Sequence, residues 1–248
     1  MGGYVDTKDT SYSVTVGCSI SIKEKYKNQG YLNGKITLPT KAPDGRPVIA
    51  LGSMSDNGIT HIFFEQNPDA PVEVRYLVSS ACANSANLTY IDFANMPKLR
   101  SIMDSAVSGC PNYNGWTFYD PLYSISELAF AGSGGNVPQR ANLVLNPMLQ
   151  NLGRRSFGQT TPLADVTFGT PTQASQLNPI DWIYNGASIT NGYAIGHNSG
   201  YNINGTVTIY CKTEQKGQWD QWLNLAEPKN NSPLIVLDET TPPTYVFV

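Results

Sequence analysis

Leu99-Arg100-Ser101-Ile102-Met103-Asp104-Ser105-Ala106-Val107-Ser108-Gly109-Cys110-Pro111-Asn112-Tyr113-Asn114-Gly115-Trp116-Thr117-Phe118 is the stretch on which the reading of this chain turns. Apolar Leu99 and Ile102 lead into a compact Ser105-Ala106-Val107 turn. The stretch closes on an alternating run in which Trp116 and Phe118 share one side of a strand. One such unit cannot bury its own apolar face, so copies must stack on it.

The copies are present. Ser80-Ala81-Cys82 matches Ser105-Ala106-Val107, Asn87-Leu88 matches Asn112-Tyr113, and Ile91/Phe93 match Trp116/Phe118, each at an offset of 25 residues. Downstream, Leu128-Ala129-Phe130 and Arg155-Ser156-Phe157 repeat the turn, while Leu143/Leu145 and Val166/Phe168 repeat the strand. From Ile91/Phe93 onward the strand pairs step by 25, 27 and 23 residues, and Ile62/Phe64 and Ile36/Leu38 extend them upstream by steps of 29 and 26. A period in the twenties is the mark of a coiled repeat array and lies in the leucine-rich-repeat range.

The phrase Ile102-x-x-Ser105-Ala106-Val107-Ser108-Gly109-Cys110-Pro111-Asn112-Tyr113 resembles the BspA-like class of leucine-rich repeat. Gly34-Lys35-Ile36-Thr37-Leu38-Pro39 and Gly45-Arg46-Pro47-Val48-Ile49-Ala50-Leu51-Gly52 are similar to that family's first repeat. Val207-Thr208-Ile209-Tyr210-Cys211, with a helix over Gly217 to Leu223, resembles its closing strand and capping helix. The resemblance spans about Ser13 to Asn224 and departs from the pattern in the Gly-rich run after Phe130 and over Gly169 to Asn204. It implies an α/β fold: a right-handed leucine-rich-repeat solenoid with a parallel sheet on one face, capped at both ends. Three parts are expected, an N-terminal arm and cap (1–33), the solenoid (34–224) and an extended tail (225–248).

Composition narrows the function. The chain has 248 residues, 40% hydrophobic and 14% charged, which suits one domain with a continuous core. A net charge of −3 with no Lys/Arg block longer than two gives no nucleic-acid footprint. No apolar run approaches 18 residues, so no membrane insertion is expected. Cys18, Cys82, Cys110 and Cys211 lack metal-ligand spacing, and no metal or cofactor is expected. Cys82 and Cys110 sit at the repeat's turn, where cysteine acts as a small hydrophobe, so reduced core thiols are expected.

At the N-terminus, residues 1–12 read as a polar arm. Ser13 to Val16 and Ser19 to Ile22 read as two short strands of a starter hairpin. Gly132 to Pro138 has no phosphate-loop ending and reads as a flexible loop. The Asn-, Gly- and Tyr-rich span 170–204 reads as a modified repeat with a projecting loop.

Strand alternation turns the neighbours of each core pair outward. This places His61 and Phe63, Tyr90 and Asp92, Gly115 and Thr117, Asn142 and Val144, and Asp165 and Thr167 in adjacent rows. They form a candidate protein- or glycan-binding surface, to which Trp182, Tyr184, Tyr193 and Tyr201 of the loop are added. The other reading is an ordinary solvated sheet face. Catalysis has little to rest on. Asp92 and Asp165 lie three strands apart, on the order of 14 Å, whereas paired glycosidase carboxylates need about 5 to 9.5 Å.

The tail carries Leu234, Ile235, Val236 and Leu237, then Tyr245, Val246, Phe247 and Val248, separated by Pro242-Pro243. It is extended, apolar and suited either to a neighbouring subunit or to its own chain. The expected function is a non-enzymatic interaction or structural module. A phage virion is the first setting, because the chain opens at Met1 without a signal-like segment and ends in this tail. A cell-surface adhesin for host protein or glycan is the alternative, and a polysaccharide-degrading solenoid the third reading. Partners are other subunits, including a second copy, or a surface glycan or protein.

Overall fold

The computed structural model describes residues 2–9, 14–30, 32–137, 141–153, 155–158, 163–177, 195–196, 206–222 and 243–248. The chain opens with β1 (Gly2–Asp9) and β2 (Val14–Ile22), then runs through β3 (Gly34–Leu38), β4 (Val48–Leu51), β5 (Ile59–Phe64), β6 (Tyr76–Leu77), β7 (Tyr90–Ile91), β8 (Ser101–Ile102) and β9 (Ser124–Ile125). It continues with β10 (Ala141–Leu145), β11 (Asn151–Leu152), β12 (Phe157–Gly158), β13 (Leu163–Phe168), β14 (Ile195–Gly196), β15 (Val207–Cys211), helix α1 (Lys216–Trp222) and β16 (Thr244–Phe247).

The strand register follows the expected ladder. Ile36 pairs with Ile62, Leu38 with Phe64, and Ile62 with Ile91. Farther on, Leu143 pairs with Val166, Phe168 with Ile209, and Val166 with Val207. These rungs form two groups, β3-β5-β7 and β10-β13-β15-β16. A single parallel bridge, Thr117 to Val144, ties the Trp116/Phe118 rung to the second group. Phe93 leaves the strand for a short 3-10 turn, Phe93–Asn95, yet its side chain stays buried.

Parallel sheet occupies two sides of the coils, not one. The other side carries the longest sheet, β1-β2-β4-β6-β8-β9-β11. Its core ladder of Leu51, Leu77, Ile102, Ile125 and Leu152 is wholly buried. Four of its strands are two residues long, so helices do not return the coils; turns do. Among the described residues α1 is the one α-helix.

Those turns stack as a backbone ladder. Ser80, Ser105, Leu128 and Arg155 have φ of 57°, 55°, 57° and 52°, and Asn84, Gly109 and Gly132 repeat the left-handed geometry at 58°, 66° and 70°. A non-glycine residue held there carries strain of order 1–3 kcal/mol. The turn persists because it aims its N–H groups at the next coil. Ser80, Cys82 and Asn84 donate to the carbonyls of Asp104, Ala106 and Ser108 at 3.0, 2.6 and 2.8 Å. Ser105, Val107 and Gly109 donate to Glu127, Ala129 and Ala131 at 3.0, 2.7 and 2.8 Å. Ala81, Ala106, Ala129 and Ser156 fill the inside of the turn with no exposed surface. At the coil edge an asparagine ladder adds side-chain links: Asn57 N–H to Asn28 Oδ1 (2.8 Å), Asn87 Nδ2–H to Asn57 O (2.7 Å) and Asn112 Nδ2–H to Ala86 O (2.7 Å).

Several expectations are corrected. The starter segment is one strand, β2, and residues 2–9 are its antiparallel partner rather than an arm. Gly17 sits inside that strand because a Cβ there would meet Ile49 Cγ2 at 2.6 Å and the Pro47 carbonyl at 2.8 Å. Residues 132–137 are a regular coil turn, not a loose loop. Gly132 donates to Gly158 O (2.8 Å), Gly134 to Cys110 O (2.9 Å) and Asn136 to Pro111 O (2.8 Å). Of the tail, β16 lies parallel to β15 of the same chain, Tyr245 opposite Ile209 and Phe247 opposite Cys211. For Tyr245, Val246, Phe247 and Val248, of the two expected readings, a neighbouring subunit or the same chain, the strand takes the second. Leu234, Ile235, Val236 and Leu237 lie outside the described residues, as do Trp182, Tyr184, Tyr193 and Tyr201. The helix begins one residue earlier than expected, and its buried Trp219 meets Phe168 at 5.0 Å between ring centroids.

All four cysteines are buried and none is in a disulfide. Burial pushes the Cys110 thiol up to about 11 and raises Cys82 well above its ordinary value.

Phe118 joins an aromatic core with Phe93, Phe130 and Phe157, at centroid distances of 5.5, 5.3 and 5.9 Å. Phe118→Ala is therefore expected to cost about 3–5 kcal/mol in chemical denaturation, while Thr117→Ala, on the solvent side, shifts stability by less than about 0.5 kcal/mol. Removing residues 243–248 uncovers the β15 edge. Alkylation of Cys211 should then accelerate by at least about tenfold, as local opening becomes easier there, while Cys18, Cys82 and Cys110 stay slow. A uniform rise at all four thiols would show global loosening instead.

Candidate functional site

The outward rows on β3, β5 and β7 bring three rings together. Register sets Lys35, His61 and Tyr90 side by side, with Thr37 and Phe63 as the next row. His61 stacks on Phe63 at 5.9 Å with planes 12° apart. Tyr90 completes the triangle at 6.1 Å from His61 and 6.0 Å from Phe63. All three side chains are half-buried. Rings at these separations support one another by about 0.5–1.5 kcal/mol per pair, which holds the cluster in one arrangement.

Polar neighbours orient it. The Thr60 hydroxyl lies 2.9 Å from His61 Nδ1, with that of Thr89 at 3.4 Å, and Thr89 itself donates to Thr60 O at 2.9 Å. Partial burial, then the Lys35 ammonium, lowers the imidazole's pKa and so favours the neutral ring. Tyr90 donates its hydroxyl to Asp92 Oδ1 at 3.3 Å, and its own pKa is raised by burial and by that carboxylate. Asp92 is only 6% exposed, and its other oxygen accepts from Asn95 Nδ2 at 2.6 Å. It supports Tyr90 from below and offers no open carboxylate.

The next rung packs closely against the cluster through a glycine. Asn114 donates to Thr89 O at 2.9 Å, which puts Gly115 beside Tyr90. A Cβ on Gly115 would sit 2.7 Å from the Tyr113 hydroxyl and 3.5 Å from Tyr90 Cδ2. Tyr119, 48% exposed, follows on the same rung. Beyond it the surface changes character. Thr117, Val144, Thr167, Thr208 and Thr244 form one β-branched row across adjacent strands. Asn142 is exposed beside a register shift. Asp165 accepts from the N–H and hydroxyl of Thr206 at 2.7 and 2.8 Å, and these bonds lower its pKa. The expected rows are thus two surfaces, an aromatic one at His61, Phe63 and Tyr90, and a threonine-rich one around Thr167.

Below the aromatic rows, where the chain leaves β5 and β7, lies an open cleft of about 380 Å³ lined by Pro68, Pro71, Pro97 and Asn95 among others. Residue-by-residue alternation does not reveal it. Its signal is a second periodicity, prolines at 39, 68, 97, 121, 147 and 171, one after each rung. Among the described residues no group of three or more His, Cys, Asp or Glu side chains could hold a metal ion, and no helix is long and apolar enough to cross a membrane.

Among solved structures, the chain is similar to a leucine-rich-repeat protein of T. pallidum, 20% identical over 66% of this chain and 68% of that one, with a TM-score of 0.52. The fold is that of the leucine-rich repeats. Two further structures align less closely. A leucine-rich repeat protein from Bacteroides ovatus is 18% identical over 71% of this chain and 44% of its own, with a TM-score of 0.47. The pneumococcal vaccine antigen PcpA is 17% identical over 66% of this chain and 47% of its own, with a TM-score of 0.43. No family model matches the sequence, and no curated protein matches it.

Asp165 tests the electrostatics of the threonine-rich side. Its folded-state pKa is lowered by Thr206, so its contribution is present above the unfolded-state value and is lost as pH falls through the folded one. Asp165→Ala should lower the melting temperature at pH 7. The gap to the parent protein should narrow steadily as the pH is taken below the ordinary aspartate range, and a gap independent of pH would refute the assignment.

Proposed function

We propose that this chain is a protein-binding module without catalytic chemistry, and that it binds through the outer face of β3, β5 and β7. The observation that carries this is the preorganised His61–Phe63–Tyr90 cluster. Aromatic residues on a rigid scaffold dominate contact energy at protein interfaces, and a solvated sheet face has no need to gather three rings. Asp92 has both oxygens engaged and Asp165 is held by Thr206 across the sheet, so this face offers no carboxylate pair for glycoside cleavage. The leucine-rich-repeat fold of the solved relatives supports a binding role, and we assign the repeats to the BspA-like class on their turn phrase. A virion is the setting we carry forward, with a cell surface as the alternative.

The test is site-specific photo-crosslinking from position 117, on the exposed rung beside the cluster, in the protein's native particle or on cells. The double variant His61→Ser/Phe63→Ser keeps the Tyr90–Asp92 bond and should stay folded, with a melting temperature lowered only by the loss of the three ring contacts. It is expected to lose at least about tenfold in crosslinked product, as removal of interface anchors does. Undiminished crosslinking in that variant would remove the aromatic face as the contact surface.

A further inference from the structure

We propose that the cleft beside the aromatic cluster receives an extended segment of another protein in which a lysine or arginine lies next to an apolar or aromatic side chain. This deepens the protein-binding reading and rests on it. The surface is a trough. Glu65 follows Phe63 on one rung and Tyr119 follows Thr117 on another, while Ala94, small and exposed, lies between them. Contact of Phe93 with Phe118 at 5.5 Å keeps the two rungs aligned. At its lower end the trough opens into the cleft of about 380 Å³, where Pro68, Pro71 and Pro97 present fixed apolar rings and Asn95 an amide. Pro68, Pro71, Pro97 and Val72 make the apolar wall that suits a flat apolar side chain, with the amides of Gln66, Asn67 and Asn95 beside it, and the chain that brings that side chain must be extended to lie along the rungs.

Charge selects the rest of the partner. Glu65 and Asp69 are exposed and flank the cleft-lining residues Gln66, Asn67 and Pro68 in the chain, and neither is ion-paired among the described residues. The nearby cation, Lys98, is already held by Glu73 at 2.5 Å, and Arg75 also approaches Glu73, at 4.0 Å. At the other end of the trough Lys35 flanks His61. The face therefore runs from basic to acidic toward the cleft, and a segment entering the cleft passes Glu65, on the Phe63 rung, and then Asp69, next to Pro68. A cation answers both, by Coulomb attraction and by contact with a ring face. The same chain makes this contact with itself elsewhere. Lys216 Nζ lies 4.8 Å from the Tyr245 ring centroid and 2.6 Å from Asp220 Oδ2, while Tyr245 donates to Asp220 Oδ1 at 2.7 Å.

Fluorescence-polarisation titration of the full chain tests this with three labelled heptapeptides and one sugar. The peptides are Ser-Arg-Phe-Ser-Arg-Ser-Ser, its Phe-to-Ser counterpart, and its Arg-to-Glu counterpart. The sugar is a neutral hexasaccharide, used as an unlabelled competitor. The first peptide is expected to bind at least about tenfold tighter than the other two, with affinity falling as salt rises. Glu65→Lys/Asp69→Lys, at two exposed positions, should abolish that preference without changing the melting temperature. Equal binding of all three peptides, unchanged preference in the charge-reversed protein, displacement by the sugar alone, or no binding of the first peptide at about 1 mM would each overturn the proposal. The broader reading is judged separately. If His61→Ser/Phe63→Ser abolishes crosslinking while charge reversal leaves it intact, the aromatic face stands and the basic-segment assignment falls. If neither variant affects crosslinking, both fall.

Discussion

Everything in this fold depends on one coil handing its backbone hydrogen bonds to the next at the left-handed turn. A coil of 23 to 29 residues contains two short strands and little else that is regular, so most of its polar backbone would be orphaned if it stood alone. Ser105 persists in the left-handed region because leaving it would withdraw the N–H groups of Ser105, Val107 and Gly109 from the adjoining coil, and Leu128 likewise holds those of Phe130 and Gly132 on Ser156 and Gly158. An unmade buried bond costs about 1–3 kcal/mol, which offsets the strain at each turn. The tiny residues Ala81, Ala106 and Ala129 belong to the same constraint: a larger side chain would hold neighbouring turns apart. The spacing into the turn is constant, three residues from Leu77, Ile102, Ile125 and Leu152 to Ser80, Ser105, Leu128 and Arg155, so variation in coil length falls elsewhere in the coil.

That constraint decides where specificity can reside. Core positions answer to stacking, and turn positions answer to the ladder, so the outward rows are where side chains are chosen freely. The two halves of the outer face use this freedom differently. Around Thr117, Thr167, Thr208 and Thr244 the row is β-branched and hydroxylated, a composition that stabilises an exposed strand and needs no further purpose. Around His61, Phe63 and Tyr90 the row gathers rings and supports them from beneath with a buried carboxylate. Burying Asp92 is unfavourable unless its oxygens are engaged, and here they fix the orientation of Tyr90 instead of serving the core.

Much of this was legible from residue order alone, because the strand facing Ile62, Phe64, Leu143 and Leu145 alternates over enough positions to declare its phase. The second sheet was not. Its strands contribute one core residue each, Leu77, Ile102, Ile125 or Leu152, preceded by a serine, tyrosine or asparagine, and two residues carry no period. The starter strand was misjudged for the opposite reason. Gly17 looks like a break, although Cys18, Ile20 and Ile22 keep one phase, and its lack of a side chain serves close approach to Ile49 rather than a turn. The aromatic triangle was readable from alternation. Asp92 was misread because alternation predicts which way a side chain starts and not whether a neighbouring hydroxyl or amide closes over it. The proline cleft escaped because it is made of residues after the strands, where no period of two applies.

The tail shows how the same physics settles a choice that sequence leaves open. A parallel strand at the edge of a sheet is satisfied equally well by its own chain or by another copy, since the bonds are the same. Tethering breaks the tie: a strand attached to the molecule whose edge it covers meets that edge at an effective concentration of order millimolar. Any partner must bind more favourably than that to displace it. Tyr245 strengthens the local choice through Asp220 and Lys216, side chains of the helix immediately following β15, so the contact that orients β16 is encoded within the same chain segment that β16 protects. A strand held in this way leaves intermolecular contact to surfaces that have no internal claimant. The rings of His61, Phe63 and Tyr90, near Glu65 and Asp69, which have no ion-pair partner among the described residues, are such a surface, which is the reason the proposed recognition falls in the early coils rather than at the end of the array.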